Sequence, residues 1–259
     1  MERFELAREL VLEAGETLRR SRLEETSVAI KTDHRDLVTR WDKETEQFLR
    51  GNLMAAFPED RIMGEEFPGT GGCGEFVWYL DPIDGTTNFV SQRRNYAISI
   101  GCYAGGAPLL SLVLDVERQA LYTARAGQGA YCNGVRLHTA GRTRVEEMLL
   151  TTSGVLRTFL RDHPWREGLL RLAEDARGVR SLGSVALELC QVAAGEADIF
   201  VGMRSCPWDH NGARLILTEA GGAACTLEGA PLPVDCDSTT VLACGCREAL
   251  AMIRREYLG

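Results

Sequence analysis

Asp81 and Asp84 stand three positions apart around Pro82 and Ile83, and the chain passes directly from them into Gly85-Thr86-Thr87. Carboxylates held this close repel one another unless a hard cation lies between them, and magnesium prefers oxygen ligands of this kind. Gly85 lets backbone approach a ligand closely. Thr86 and Thr87 bring hydroxyl and N–H groups to an expected helix start, where an anion such as phosphate is stabilised. A second acidic pair, Glu65 and Glu66, lies upstream in Met63-Gly64-Glu65-Glu66-Phe67. The chemistry these residues describe is cation-assisted handling of a phosphorylated ligand. By turn chemistry alone, Asp-Pro-x-Asp-Gly also describes a solvated turn.

The elements around the acids favour the first reading. Val77 to Leu80 form a β-branched, aromatic and aliphatic run, predicting a buried strand with Asp81 at its carboxyl end. Pro82 keeps Asp81 out of helical geometry and so aims its side chain. Phe4, Leu6, Ala7, Leu10, Val11, Ala14 and Leu18 recur at helical spacing, predicting an amphipathic helix over the first twenty residues. A second helix is expected from Asp42, which is placed to cap it and needs no further role. Strands are expected at Tyr96 to Tyr103, Leu109 to Val116 and Ala120 to Ala124, lying side by side and antiparallel. Asn133-Gly134 marks a tight hairpin turn. Helices are expected over Trp165 to Ala176 and Val185 to Ala194, with a short strand at Asp198 to Val201 between the latter and a helix opened by Asp209 and ended by Gly221-Gly222. Alternating helices and strands imply an α/β layered fold.

Composition sets the bounds. With 259 residues, 45% hydrophobic and 25% charged, the chain can bury a large core. It reads as one domain, 1–259, or two tightly joined halves of about 1–140, with most of the candidate acids, and about 141–259, with Asp209. Its 29 basic and 37 acidic residues give a net charge of −8, which argues against nucleic acid or an anionic membrane as a partner. Bound cations would supply the positive centre that a small anionic substrate needs. Nine cysteines, an odd number without a Cys-x-x-Cys pair, read as reduced thiols, and Cys244-Gly245-Cys246 has no visible partners for a zinc site. No signal-peptide or membrane-spanning stretch opens the chain, so a cytoplasmic protein is expected.

At these residues the chain resembles the inositol monophosphatase family, lithium-sensitive and magnesium-dependent phosphatases. Asp81 to Phe89 match its signature, and Gly64-Glu65-Glu66 the element before it. Lys31 and Asp36-Leu37-Val38-Thr39-Arg40-Trp41-Asp42 resemble its mobile loop and the acidic helix start that follows. Gly127 to Gly134 resemble its hairpin, and Pro207-Trp208-Asp209 with Glu219-Ala220-Gly221-Gly222 its second signature. The resemblance implies an αβαβα sandwich of the inositol monophosphatase and fructose-1,6-bisphosphatase type, and a homodimer. It implies two or three magnesium ions, the first held by Glu65, Asp81 and the Ile83 carbonyl, the second by Asp81, Asp84 and Asp209, with water oriented by Glu65 and Thr86. Glu65, Asp81, Asp84, Thr86 and Asp209 are thereby the candidate catalytic residues. Ile83, Asp84, Gly85, Thr86, Gly183, Ser184, Val185 and Asp209 are the candidate substrate contacts, Gly85 and Thr86 binding phosphate oxygens and 183–185 lining the alcohol half. Asp209 is brought to the site by the resemblance alone; unaided, it reads as a helix cap.

The expected activity is hydrolysis of inositol monophosphate or a similar small polyol or sugar phosphate. Where relatives carry a glutamate before Trp-Asp, Gly202-Met203-Arg204-Ser205-Cys206-Pro207 supplies no acid, so a 3′,5′-bisphosphate nucleotide, fructose-1,6-bisphosphate or histidinol phosphate stays open as substrate. Arg93, Arg94 and Arg204 are candidates for reading a second anionic group, with solvated arginines the plainer explanation. A regulatory binding protein on the same scaffold is the alternative of a different class. His210, about 100° around the helix from Asp209, is expected at the surface or the substrate's edge. Lys31 and Asp42 are left between structural and site roles.

Overall fold

A computed structural model describes residues 2–21, 28–30, 37–71 and 74–259. Lys31, Asp36 and Cys73 lie outside them. Helix α1 (Arg3–Arg20) is followed by a ribbon of β1 (Val28–Ile30) and β2 (Leu37–Thr39), then α2 (Arg40–Ala56). Strands β3 (Arg61–Gly64), β4 (Thr70–Gly71) and β5 (Phe76–Asp84) precede the short helix α3 (Thr86–Ser91). Next come β6 (Ala97–Ala104), β7 (Ala107–Asp115), β8 (Ala120–Arg125), β9 (Ala130–Cys132) and β10 (Val135–Arg136). The later part comprises β11 (Leu149–Thr151), α4 (Arg166–Asp175), β12 (Gly178–Arg180), α5 (Val185–Ala193), β13 (Ile199–Ser205), α6 (Pro207–Glu219), β14 (Ala223–Cys225), β15 (Thr239–Cys244) and α7 (Arg247–Ile253).

These elements make five layers. An eight-stranded sheet runs in the order β10-β9-β8-β7-β6-β5-β3-β4, and a five-stranded sheet in the order β12-β11-β13-β15-β14. Helices α1 and α2 cover the outer face of the larger sheet, α5 and α6 fill the space between the sheets, and α4 and α7 cover the smaller one. Three cores fill the spaces between the layers: Leu10, Leu49, Trp78 and Ile98 under α1 and α2, Leu189, Phe200, Ala213 and Ile216 around α5 and α6 on both of their faces, and Leu150, Leu172, Leu242 and Ile253 under α4 and α7. The αβαβα order expected from the resemblance is the order observed. Among the described residues no helix is long and apolar enough to cross a membrane.

Two local features decide where the acids go. The strand expected to end at Asp81 continues through it to Asp84. Asp81 pairs with Ser99 and Asp84 with Ala97, so Pro82 and Ile83 together face Ile98 in a β-bulge. A bulge tolerates a residue without an N–H inside a sheet, and it re-aims the side chains on either side. On the other flank β3 runs parallel to β5 with Gly64 beside Leu80, which delivers Glu65 next to Asp81. The expected antiparallel run from β6 to β8 is present, and Asn133 and Gly134 both take positive φ (48° and 81°) in the β9–β10 turn.

Helix α6 approaches β6 closely because both contribute a glycine. A Cβ on Gly101 would lie 2.8 Å from the Asn211 carbonyl oxygen, and one on Gly212 would collide with the Ser99 hydroxyl. The Tyr103 hydroxyl donates to Asn211 Oδ1 at 3.0 Å across the same contact. Since the Gly101 contact is with backbone, a side chain there must push α6 away. Gly101→Ala is expected to lower stability by about 1–3 kcal/mol in urea unfolding, and an unchanged midpoint would show that the helix has room to shift.

Candidate active site

Asp81 is the centre of the site. It is 1% exposed, its Oδ1 accepts from the Ile83 amide at 3.1 Å, and its pKa is driven well above the ordinary range by burial, then by Glu65, Asp84, Asp209 and Asp42. The structure thus brings together Glu65, Asp81, Asp84 and Asp209, which lie as much as 144 positions apart in the chain, and adds Asp42 to them.

Three of these acids sit at helix N-termini, where free N–H groups and the helix dipole favour negative charge. Asp42 occupies the third position of α2. Its Oδ2 accepts from the Thr39 amide (2.8 Å) and hydroxyl (2.6 Å), while Thr39 Oγ1 accepts from Trp41 N–H at 3.1 Å. The cap of α2 is therefore Thr39, with Asp42 its reciprocal partner rather than the cap itself. Asp209 holds the equivalent place in α6, accepting from the Cys206 amide at 2.7 Å. Asp84 meets α5 from outside: Ser184 Oγ donates to it at 2.6 Å, Ala186 N–H at 2.6 Å and Val185 N–H at 3.2 Å. Burial outweighs these bonds and pushes its pKa up to about 6.

Thr86 ties the remaining groups together. Its hydroxyl lies 3.0 Å from Asp42 Oδ1 and 3.1 Å from the Ile83 carbonyl, either of which can accept its proton. Gly85 caps α3 with φ 94°, and a Cβ there would lie 3.1 Å from the Asn95 carbonyl and 3.2 Å from the Gly183 carbonyl. Asn88 Nδ2 donates to Asn95 O (2.8 Å) and Leu182 O (2.6 Å), which sets Gly183-Ser184-Val185 beside the α3 start.

Buried acids that the motifs did not single out fasten the loops. Glu46, fully buried, accepts from the Glu66 and Phe67 amides at 2.7 and 3.3 Å and from Arg50 at 3.1 Å, fixing the turn that follows Glu65. Arg50 also donates to the Pro68 carbonyl, at 2.9 Å. Glu188, the one charged residue of α5, accepts from Leu182 N–H at 2.6 Å, and burial pushes its pKa up to about 7. Sequence signals for the roles of Asp42 and Glu188 existed. Thr39-x-x-Asp42 has capping-box spacing, and an acid within the otherwise apolar Val185-Ala186-Leu187-Glu188-Leu189 must be buried with the helix.

His210 is not at the surface. It is fully buried, its Nε2 lies 3.2 Å from the Pro233 carbonyl, and desolvation lowers its pKa to about 4. The expectation fails because α6 lies between the two sheets and segment 232–234 covers it, with Asn211 and Arg214 bonded to Val234 O and Leu232 O. His210 faces inward at a turn whose half-exposed side carries Trp208 and Asp209.

Among the described residues no three of His, Cys, Asp and Glu stand in ligating positions, the Cys244–Cys246 stretch included. The oxygens of Asp42, Asp84 and Asp209 are turned instead toward protein donors. The donor set nonetheless suits a hard divalent cation, being all oxygen, largely buried and mutually repelling. Glu65, Asp81, Ile83 through its carbonyl, Asp84 and Asp209 are the groups available to hold one.

A model of the inositol monophosphatase family matches residues 2–257. The inositol-1-monophosphatase of Bacillus subtilis strain 168 is 41% identical over 229 residues, covering 88% of this chain and 86% of its own. The Nus factor SuhB of Pseudomonas aeruginosa is 37% identical over 223 residues, 83% of this chain and 82% of its own. The crystal structure of inositol monophosphatase II from Staphylococcus aureus MSSA476 superimposes with a TM-score of 0.87 at 33% identity, covering 100% of this chain and 94% of that one.

The raised carboxylate pKa values have a direction for stability. A buried acid that keeps its proton to a higher pH when folded contributes stability below its unfolded pKa and loses it as pH rises through its folded one. For Asp84 that window runs from 3.8 to about 6. In the presence of a chelator, the stability advantage of wild type over Asp84→Asn is expected to shrink across this window by on the order of 3 kcal/mol. Denaturant titrations at several pH values check this, and an advantage that grows with pH would contradict the assignment.

Proposed function

Because the chain belongs to the inositol monophosphatase family, whose members are metal-dependent, we propose that it is a magnesium-dependent phosphomonoesterase acting on inositol monophosphate or a similar small polyol or sugar phosphate. The observation that carries this reading is the gathering of Glu65, Asp84, Asp209 and Asp42 around the buried Asp81, beside the Gly85-Thr86 turn. Glu65, Asp81, the Ile83 carbonyl, Asp84 and Asp209 would hold two or three magnesium ions. Bound there, the ions supply Lewis acidity that acidifies water and stabilises charge on the phosphoryl and leaving oxygens.

The chain's own groups do the rest. Thr86 Oγ1, donating to Asp42 Oδ1, keeps a lone pair for a water on its other side, and Asp42 is the acceptor at the end of that path. Thr86 therefore orients the water with Asp42 behind it, beside the Glu65 role expected from the family. The Gly85 and Thr86 amides bind phosphate oxygens, and the left-handed Gly85 lets the phosphate come close to the backbone. Gly183, Ser184 and Val185 line the alcohol half. Asp84 has two duties, as cation ligand and as the outside cap of α5.

Substrate choice rests on two supports that pull apart. A Staphylococcus aureus relative of the same fold has been crystallised with inositol monophosphate, which favours a polyol phosphate. The acid-free stretch Gly202 to Pro207 keeps a bisphosphate nucleotide, fructose-1,6-bisphosphate or histidinol phosphate in view. The Pseudomonas relative's designation as a Nus factor is the one observation favouring a regulatory role as well. A homodimer and lithium sensitivity complete the family reading.

A phosphate-release panel of these esters, with and without magnesium, tests the reading. Turnover of at least one ester is expected only with magnesium, while no turnover of any of them would leave the regulatory role. Asp42→Asn is expected to lower kcat by about a hundredfold, the lower range for a positioned proton acceptor. Full activity in that variant would remove Asp42 from the proton path.

A further inference from the structure

Glu188 has a place in this site that neither the motifs nor the cation chemistry assigns. Burying an acid within reach of the Asp84 charge is costly, and an apolar residue would spare that cost. The groups facing it explain its retention. Leu182 N–H donates to Glu188 Oε1 at 2.6 Å and Thr151 Oγ1 donates to the same oxygen at 3.1 Å. Both are donors, so an acceptor is required, and an apolar side chain would leave the buried Thr151 hydroxyl and the half-buried Leu182 amide unpaired.

The segment so held matters for the site. Leu182 is gripped from both sides: Glu188 takes its amide and Asn88, on α3, donates to its carbonyl at 2.6 Å. Gly183 follows with φ 79°, then Ser184, whose side chain accepts from Leu187 N–H and donates to Asp84. Glu188 lies one helical turn past Ser184, so the helix that carries Ser184 also carries the clamp for the turn leading into it.

We propose that Glu188 is the positioning residue for the alcohol half of the pocket, fixing the Leu182-Gly183 turn so that 183–185 meet the substrate in one arrangement. This rests on the phosphomonoesterase reading. The phosphate half has a fastening of its own that does not pass through Glu188, the bond from Asn88 to the Asn95 carbonyl next to Gly85. Loss of the clamp therefore acts on the alcohol and spares the phosphate.

Glu188→Leu, Glu188→Gln and Thr151→Val in the full chain, with magnesium, test this. Glu188→Leu is expected to raise KM for the preferred ester about tenfold, with kcat and inhibition by inorganic phosphate little changed. Amide hydrogen exchange over 182–186 should accelerate, and Glu188→Gln, which keeps an acceptor oxygen, should restore most of both. If Glu188→Leu does not fold, Thr151→Val carries the test, with a smaller rise in KM and the same local acceleration of exchange. Wild-type KM and wild-type exchange in Glu188→Leu, or in Thr151→Val where that carries the test, would overturn the proposal, as would an equal loss in phosphate inhibition. Should wild type show no turnover at all, the functional reading fails, while exchange still decides whether Glu188 fixes the turn.

Discussion

Like charges in a dry place set the terms for this protein. Asp81 lies in a bulged strand, almost without solvent, with four other carboxylates close enough to raise its pKa. Such a cluster is unfavourable unless protons or cations neutralise it. The fold accepts that cost because every acid but Glu65, which follows the end of β3, is built into an element that cannot move without unmaking the core. Asp81 belongs to β5, bonded on both sides by β3 and β6, and Asp209 to a helix packed between two sheets.

Helix ends temper the repulsion. The N-termini of α2, α5 and α6 converge on one region, each with an acid bonded to its first-turn N–H groups or cap: Asp42, Asp84 and Asp209. This holds the carboxylates in place without cancelling their charge, since desolvation still dominates at Asp42 and Asp84. A second set of acids, Glu46 and Glu188, stays out of the cluster and holds the loops that border it. Division of labour of this kind leaves the geometry of the bordering loops to neighbours of the central groups.

Much of this was readable in the chain. Asp81-Pro82-Ile83-Asp84-Gly85-Thr86 announced its chemistry, because a proline between two acids and a glycine before a helix each permit few conformations. Helix α7 was not foreseen, whereas helices α1, α2, α4, α5 and α6 and the central strands were legible from apolar periodicity. Two kinds of information were not. Strand β5 was expected to stop at Asp81, since nothing local predicts a bulge that absorbs Pro82. The surroundings of His210 depend on segment 232–234, some twenty residues away, so its burial could not follow from the position of its own helix turn. Asp209 reached the site only through the family resemblance, for long-range convergence leaves no periodic trace. Lys31 and Asp36 lie outside the described residues.

The central claim is that the acids around Asp81 bind divalent cations in place of protons. Isothermal titration of the metal-free protein with magnesium at pH 6, in two buffers of different ionisation enthalpy, measures binding and proton release together. The account predicts saturable uptake of two or three ions accompanied by a net release of protons, reduced in Asp84→Asn. Absence of binding at millimolar magnesium, or binding with no proton release in either buffer, would contradict it.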